Sequence, residues 1–74
     1  MPKLQRLSGE QAIKALERMG FQKVRQRGSH VVMRREDVGC VIPLHRELAT
    51  GTLRGALRQA GVDPGEFIKA WESR

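Results

Sequence analysis

Phe21-Gln22-Lys23-Val24-Arg25-Gln26-Arg27-Gly28-Ser29-His30-Val31-Val32-Met33-Arg34-Arg35 decides the fold. Phe21, Val24, Val31, Val32 and Met33 favour extended backbone, and the cations between them mark solvent-facing positions. Gly28 interrupts the run and supplies a turn. The stretch therefore predicts a hairpin with strands at about 21–26 and 29–35. Glu36, Asp37 and Gly39 predict a second turn. Val38 to Ile42 predicts a third short strand, stopped by Pro43. The connections are too short for parallel crossovers, so the sheet is expected to be an antiparallel meander. Side chains alternate across a strand. His30, Val32 and Arg34 should therefore share one face, and Val31, Met33 and Arg35 the other.

The segments on either side read as helices. Ser8-Gly9-Glu10-Gln11 fits a capping box with Gln11 at the third helical position. Ala12, Ile13, Leu16 and Met19 follow at helical spacing and Gly20 closes the helix, which gives about Gly9 to Met19. Pro43 to Thr50 reads as a loop. Leu53, Ala56, Leu57 and Ala60 mark one face of a second helix that ends at Gly61. Asp63-Pro64-Gly65-Glu66 is a start signal, with a cap, a proline in the first turn and an acid three residues on. It opens a third helix carrying Phe67, Ile68 and Trp71 on one face. The expected class is α+β, a small two-layer α-β-β-β-α(-α) domain. A three-stranded antiparallel sheet should carry the helices on one face. The chain reads as one domain over residues 1–74, with its core at about 8–62 and the last helix at about 64–72.

With 74 residues, 14 Lys plus Arg, 8 Asp plus Glu and a single cysteine, the chain carries a net charge of +6. So short a domain has a thin stability margin and is often stapled. Cys40 alone makes neither an intrachain disulfide nor the paired thiolates of a zinc finger. No segment approaches the roughly 20 apolar residues that span a bilayer. Residues 1–7 show no apolar run of signal-peptide type, so a cytoplasmic setting with Cys40 reduced is expected. The charge points to a polyanion or an acidic protein as partner. Between Gln22 and Arg35 stand Lys23, Arg25, Arg27, Arg34 and Arg35 with no acid. That run lacks Trp or Phe at helical spacing, which argues against a membrane surface. Arginine predominates among the cations, and its planar fork suits phosphate.

The histidines are the candidate acid–base groups, because histidine titrates near neutral pH without perturbation. His30 opens the second strand inside the basic run, beside a turn glycine. His45 lies in the loop Pro43-Leu44-His45-Arg46 and is the candidate for a second proton transfer. Ser29 points away from His30 on alternation, so the two form no dyad. Glu36 and Asp37 have no second acid pair to converge with, which argues against a two-metal nuclease. Gly51-Thr52-Leu53-Arg54-Gly55 lacks the lysine and spacing of a phosphate-binding P-loop. Arg54 and Arg58, four apart, form a cationic stripe on the second helix and equally suit plain solvent exposure. No metal or small-molecule cofactor is expected. Cys40 reads as a small buried apolar residue.

Two segments together resemble the HicA family of toxin ribonucleases. Arg25-Gln26-Arg27-Gly28-Ser29-His30 matches that family's R-x-x-G-S-H. Ile42-Pro43-Leu44-His45-Arg46-Glu47-Leu48, running into Gly51-Thr52-Leu53-Arg54-Gly55-Ala56-Leu57-Arg58-Gln59-Ala60-Gly61, is similar to its I-P-x-H … E-L-x-x-G-T-L-R-x-I-L-x-Q-A-G. The likeness covers about residues 4–62. It implies a fold like a double-stranded RNA-binding domain, cleavage of mRNA that halts growth, and neutralisation by a HicB-type antitoxin. The family's catalytic histidine corresponds to His30, and Gly28 and Ser29 match the same motif.

Three functions follow as expectations. The first is a metal-independent endoribonuclease with His30 as acid or base and Arg27 and Arg34 stabilising the charge on the phosphorane. Lys23, Arg25, Arg27, Gly28, Ser29, Arg34, Arg54 and Arg58 would contact RNA or its phosphates. The second is a non-catalytic RNA-binding module of the same fold. The third is a helix-turn-helix DNA binder built on the last two helices. The acids Asp63, Glu66 and Glu72 against one Lys69 speak against the third.

Overall fold

The computed structural model describes residues 6–73. Its elements run α1 (Gly9–Arg18), β1 (Gln22–Arg27), β2 (His30–Arg35), β3 (Val38–Pro43), α2 (Thr50–Ala60) and α3 (Pro64–Glu72). The strands form one antiparallel sheet in the order β1-β2-β3. The α+β class and the α-β-β-β-α-α order are those the sequence predicts.

Helix α1 starts where its cap dictates. The Gln11 backbone N–H donates to Ser8 Oγ at 3.1 Å, and the Ser8 N–H donates to Gln11 Oε1 at 2.9 Å. Two amides left without helical partners are thereby satisfied. Gly20, at φ +96°, turns the chain out of the helix. Ala12, Ile13, Ala15 and Leu16 form the buried face. Phe21 follows, buried beneath the Arg35 guanidinium at 4.6 Å, and that guanidinium also donates to the Met19 carbonyl at 2.8 Å.

The hairpin is displaced by one residue from its expected boundaries. Arg27 pairs with His30, which leaves Gly28-Ser29 as a two-residue turn. Gly28 sits at φ +55° while Ser29 is not left-handed, the pattern of a type II′ turn, whose twist matches the flanking strands. The second turn is Glu36-Asp37, with Glu36 itself at φ +58°. Gly39 belongs to β3 rather than to that turn. A Cβ there would come within 2.8 Å of the Met33 carbonyl oxygen, so glycine permits the close approach of β3 to β2. Pro43 is the last residue of β3, not a residue beyond it. An edge strand tolerates proline because its missing N–H need not face a neighbour.

Val31 and Met33 of β2 and Cys40 and Ile42 of β3 are buried together, whereas Arg34 and Val41 are exposed. The sheet is thus covered on one face. Helix α2 lies against β3, and α1 packs on β1, β3 and α3. Leu53, Ala56, Leu57 and Ala60 of α2 complete the core, and Gly61 at φ +68° ends that helix. Helix α2 begins at Thr50, where the sequence left a loop. In α3, Asp63 accepts from the Glu66 N–H at 3.2 Å, and Phe67, 1% exposed, plugs the core. Arg18 clamps the far end of α3, donating to the Ala70 and Trp71 carbonyls at 3.2 Å each. A cation there also complements the negative end of the helix dipole. Docked in this way, α3 turns Glu66, Lys69 and Glu72 to solvent, which is no cationic recognition helix.

Candidate nucleic-acid interface

The uncovered face of the sheet collects the residues singled out in the basic run. Pairing register defines three rows across it. Arg27 stands opposite His30, Arg25 opposite Val32 and Val41, and Gln22 opposite Arg34 and Gly39. Directly opposed residues hold their Cβ atoms about 5 Å apart. Arg27 is therefore the strand cation directly beside His30. Both are exposed. Arg34 is four residues along an extended strand, about 13 Å from His30 at 3.3 Å per residue. It shares the face but belongs to a neighbouring contact, not to the one at His30.

The His30 end is pinned by backbone. The Leu44 N–H donates to the Ser29 carbonyl at 2.6 Å, extending the β2–β3 pairing past Pro43 and fixing the turn. Gln26 Nε2 donates to the Gly28 carbonyl at 3.0 Å and braces the turn from the other side. Neither imidazole has a hydrogen-bond partner among the described residues. The same stretch carries His45 to this end of the sheet, where its carbonyl accepts from the Gly9 N–H at 2.9 Å. The His45 side chain lines a cleft with Ser8, Glu10, Leu44 and Arg46, on the α1 side of that end.

Lys23 does not join the other cations. Simple alternation puts Lys23, Arg25 and Arg27 on one face. A bulge between Lys23 and Arg25 makes Val24 an extra residue, and Lys23 pairs instead with the inward-facing Met33. One added residue moves a side chain to the opposite face. Lys23 accordingly lines a cleft beside α1 with Glu10, Lys14, Glu17 and Gln26. Arg54 and Arg58 are exposed on α2, in the helical layer behind the sheet, flanking a separate cleft with Leu57, Val62 and Pro64. The sheet face thus gathers His30, Arg25, Arg27 and Arg34, and leaves Lys23, Arg54 and Arg58 elsewhere. Gln22 and Val41 join the face although sequence reasoning passed them over. The signal for Gln22 lay in strand register, which needed the bulge to be known, whereas that for Val41 lay in the plain alternation of β3.

The face is electrostatically one-sided. Its acids, Glu36 and Asp37, sit in the turn at the far end of β2 from His30. Among the described residues the one ion pair is Arg6–Glu47, at 3.6 Å and solvent-exposed, so the cations on the sheet have no carboxylate partner. Such a surface attracts a polyanion over a screening length of about 8–10 Å. Cys40 lies on the covered side. Burial pushes its thiol up to about 11, so it stays protonated and unreactive at neutral pH. Among the described residues no three His, Cys, Asp or Glu side chains gather as a metal site. No helix there is long and apolar enough to cross a membrane.

Fold and face together define a small α+β domain that presents a cationic, histidine-bearing sheet surface. The model of the family described as "HicA toxin of bacterial toxin-antitoxin" matches residues 9–62 of the 74-residue chain. The chain belongs to the HicA family and is a toxin of a toxin–antitoxin system. The match ends at Val62, so α3 lies beyond it. No curated protein matches this sequence.

Proposed function

We propose that this toxin is an endoribonuclease that cleaves mRNA in the cytoplasm at the His30 end of the open sheet face. A HicB-type antitoxin neutralises it by covering that face. The observation that carries the reading is the pairing of exposed His30 with Arg27 beside the Gly28-Ser29 turn, on a face whose strands bear no acid. RNA brings its own nucleophile, so the protein need supply only proton transfer and charge stabilisation. His30 takes the proton of the 2′-hydroxyl as its oxygen attacks the adjacent phosphorus. The bond to the 5′-oxygen breaks, and that oxygen receives a proton from water. The products are a cyclic 2′,3′-phosphate and a free 5′-hydroxyl. Arg27 stabilises the charge that develops on the phosphoryl oxygens. Arg25 and Arg34 hold neighbouring phosphates and set the strand's path across the sheet.

The test is cleavage of a single-stranded RNA by wild type and by His30→Ala, with and without a chelator. A positioned acid–base group contributes about 10²–10⁴-fold, so His30→Ala should lose at least about a hundredfold. The chelator should leave the wild-type rate unchanged. A wild-type rate in His30→Ala, or RNA bound and recovered intact, would overturn the reading. The second result would leave a non-catalytic RNA-binding module.

A further inference from the structure

The two edges of the sheet are built differently. The β1 edge is blunted: it carries Lys23, Arg25 and Arg27, and a bulge at Val24 breaks its line. Charge and bulges are the usual protection of an edge against pairing with another chain. The β3 edge has neither. Val38-Gly39-Cys40-Val41-Ile42-Pro43 contains no charge, and its six pairings with β2 run without a break. Val38 and Val41 are 37% and 42% exposed, two of the three exposed large apolar side chains among the described residues. Antiparallel geometry aims every second N–H and C=O of an edge strand outward. Among the described residues, none of these outward groups has a backbone partner.

We infer that the outer edge of β3 is a docking edge, completed by an extended strand of the antitoxin that alternates acidic and apolar residues. This rests on the chain's place in a toxin–antitoxin system and not on its cleaving RNA. Strand addition draws affinity from main-chain hydrogen bonds and specificity from alternate side chains. The specificity is written on the open face. An apolar side chain of the added strand lies beside Val41, continuing the row Arg25–Val32–Val41. Two residues along, its neighbour on β3 is Gly39, which has no side chain to intervene. A carboxylate there reaches over Gly39 to Arg34, one strand further in. Strands are about 4.8 Å apart, so the span of two strands is within reach of a Glu–Arg pair. Charge selects this occupant over a second copy of the chain. Two molecules of net charge +6 repel one another, whereas an acidic strand is attracted.

The experiment is amide hydrogen exchange on the full chain, free and co-purified with its cognate antitoxin, with affinities for three variants. In the complex, alternate amides of Val38–Ile42 should slow at least tenfold, while the outward amides of β1 stay fast. Val41→Lys and Val38→Lys should each weaken the complex at least tenfold, and Val24→Lys, on the other edge, less than twofold. Thermal melts show whether each variant is folded, and the wild-type exchange pattern stands without any of them. Protection confined to β1 or to the helices overturns the inference, as does a complex indifferent to Val41→Lys. Protection of β3 in the free chain that grows with concentration also overturns it, in favour of a second copy. Because no readout is cleavage, an inactive His30 leaves the test intact.

Discussion

Successive residues of β2 lead to opposite sides of the molecule. Val31 and Met33 point under the helices at 1% and 0% exposure, while His30 and Arg34 stand in solvent on the other side. The two faces answer to different physics. Inward residues contribute through apolar area and packing, where a lost methylene is felt. Outward residues contribute little to folding and are free to present charge and a titratable ring. Alternation along one strand lets the chain hold both on six residues.

The comparison is most severely tried by truncating each face in turn. Met33→Ala should lose about 2–5 kcal/mol of unfolding free energy, the range for a large buried side chain. Val32→Ala, next to it on the open face, should lose about 1 kcal/mol. Urea titrations measure both, and equal losses would dissolve the distinction between faces. A second contrast lies within β1. Arg27→Ala should slow RNA cleavage about ten- to a hundredfold, since it removes the stabilising cation beside His30. Lys23→Ala, turned to the other face by the bulge, should stay within about twofold. Reversal of that order would place the reacting phosphate beside α1 instead. The smallest effect concerns Cys40. Its folded value near 11 stands above the ordinary 9.0 because burial disfavours the thiolate. The unfolded chain therefore gives up this proton first as pH rises. The contribution is intact below about pH 9 and is lost on rising through about 11. The urea midpoint of wild type should fall more steeply over that interval than that of Cys40→Ala. Parallel curves would mean that the thiol is not desolvated.

Much of this was legible in the residues. The capping box at Ser8 and Gln11, the Gly61 terminator and the Asp63-Pro64 start each act within one helical turn, so local chemistry fixes them. The meander followed from connections too short for anything else. The alternation of β2 was readable because Val31 and Met33 are apolar at a two-residue period. What escaped depends on pairing between strands. Lys23 looks like a companion of Arg25 and Arg27 until the bulge at Val24 is known, and nothing local in Lys23-Val24-Arg25 announces a bulge. Gly39 reads as a turn residue by composition. Its use lies in the approach of β3 to the Met33 carbonyl, a contact outside its own segment. Arg34 shares a face with His30 as expected, yet the rise of an extended strand separates them by about 13 Å.

The central claim is that the open face acts on RNA without holding the fold together. Measuring His30→Ala for both RNA cleavage rate and urea midpoint on one preparation tests it most directly. The account predicts a loss of at least about a hundredfold in rate with a midpoint equal to wild type. Cleavage at the wild-type rate, or a lost rate accompanied by a collapsed midpoint, would contradict it.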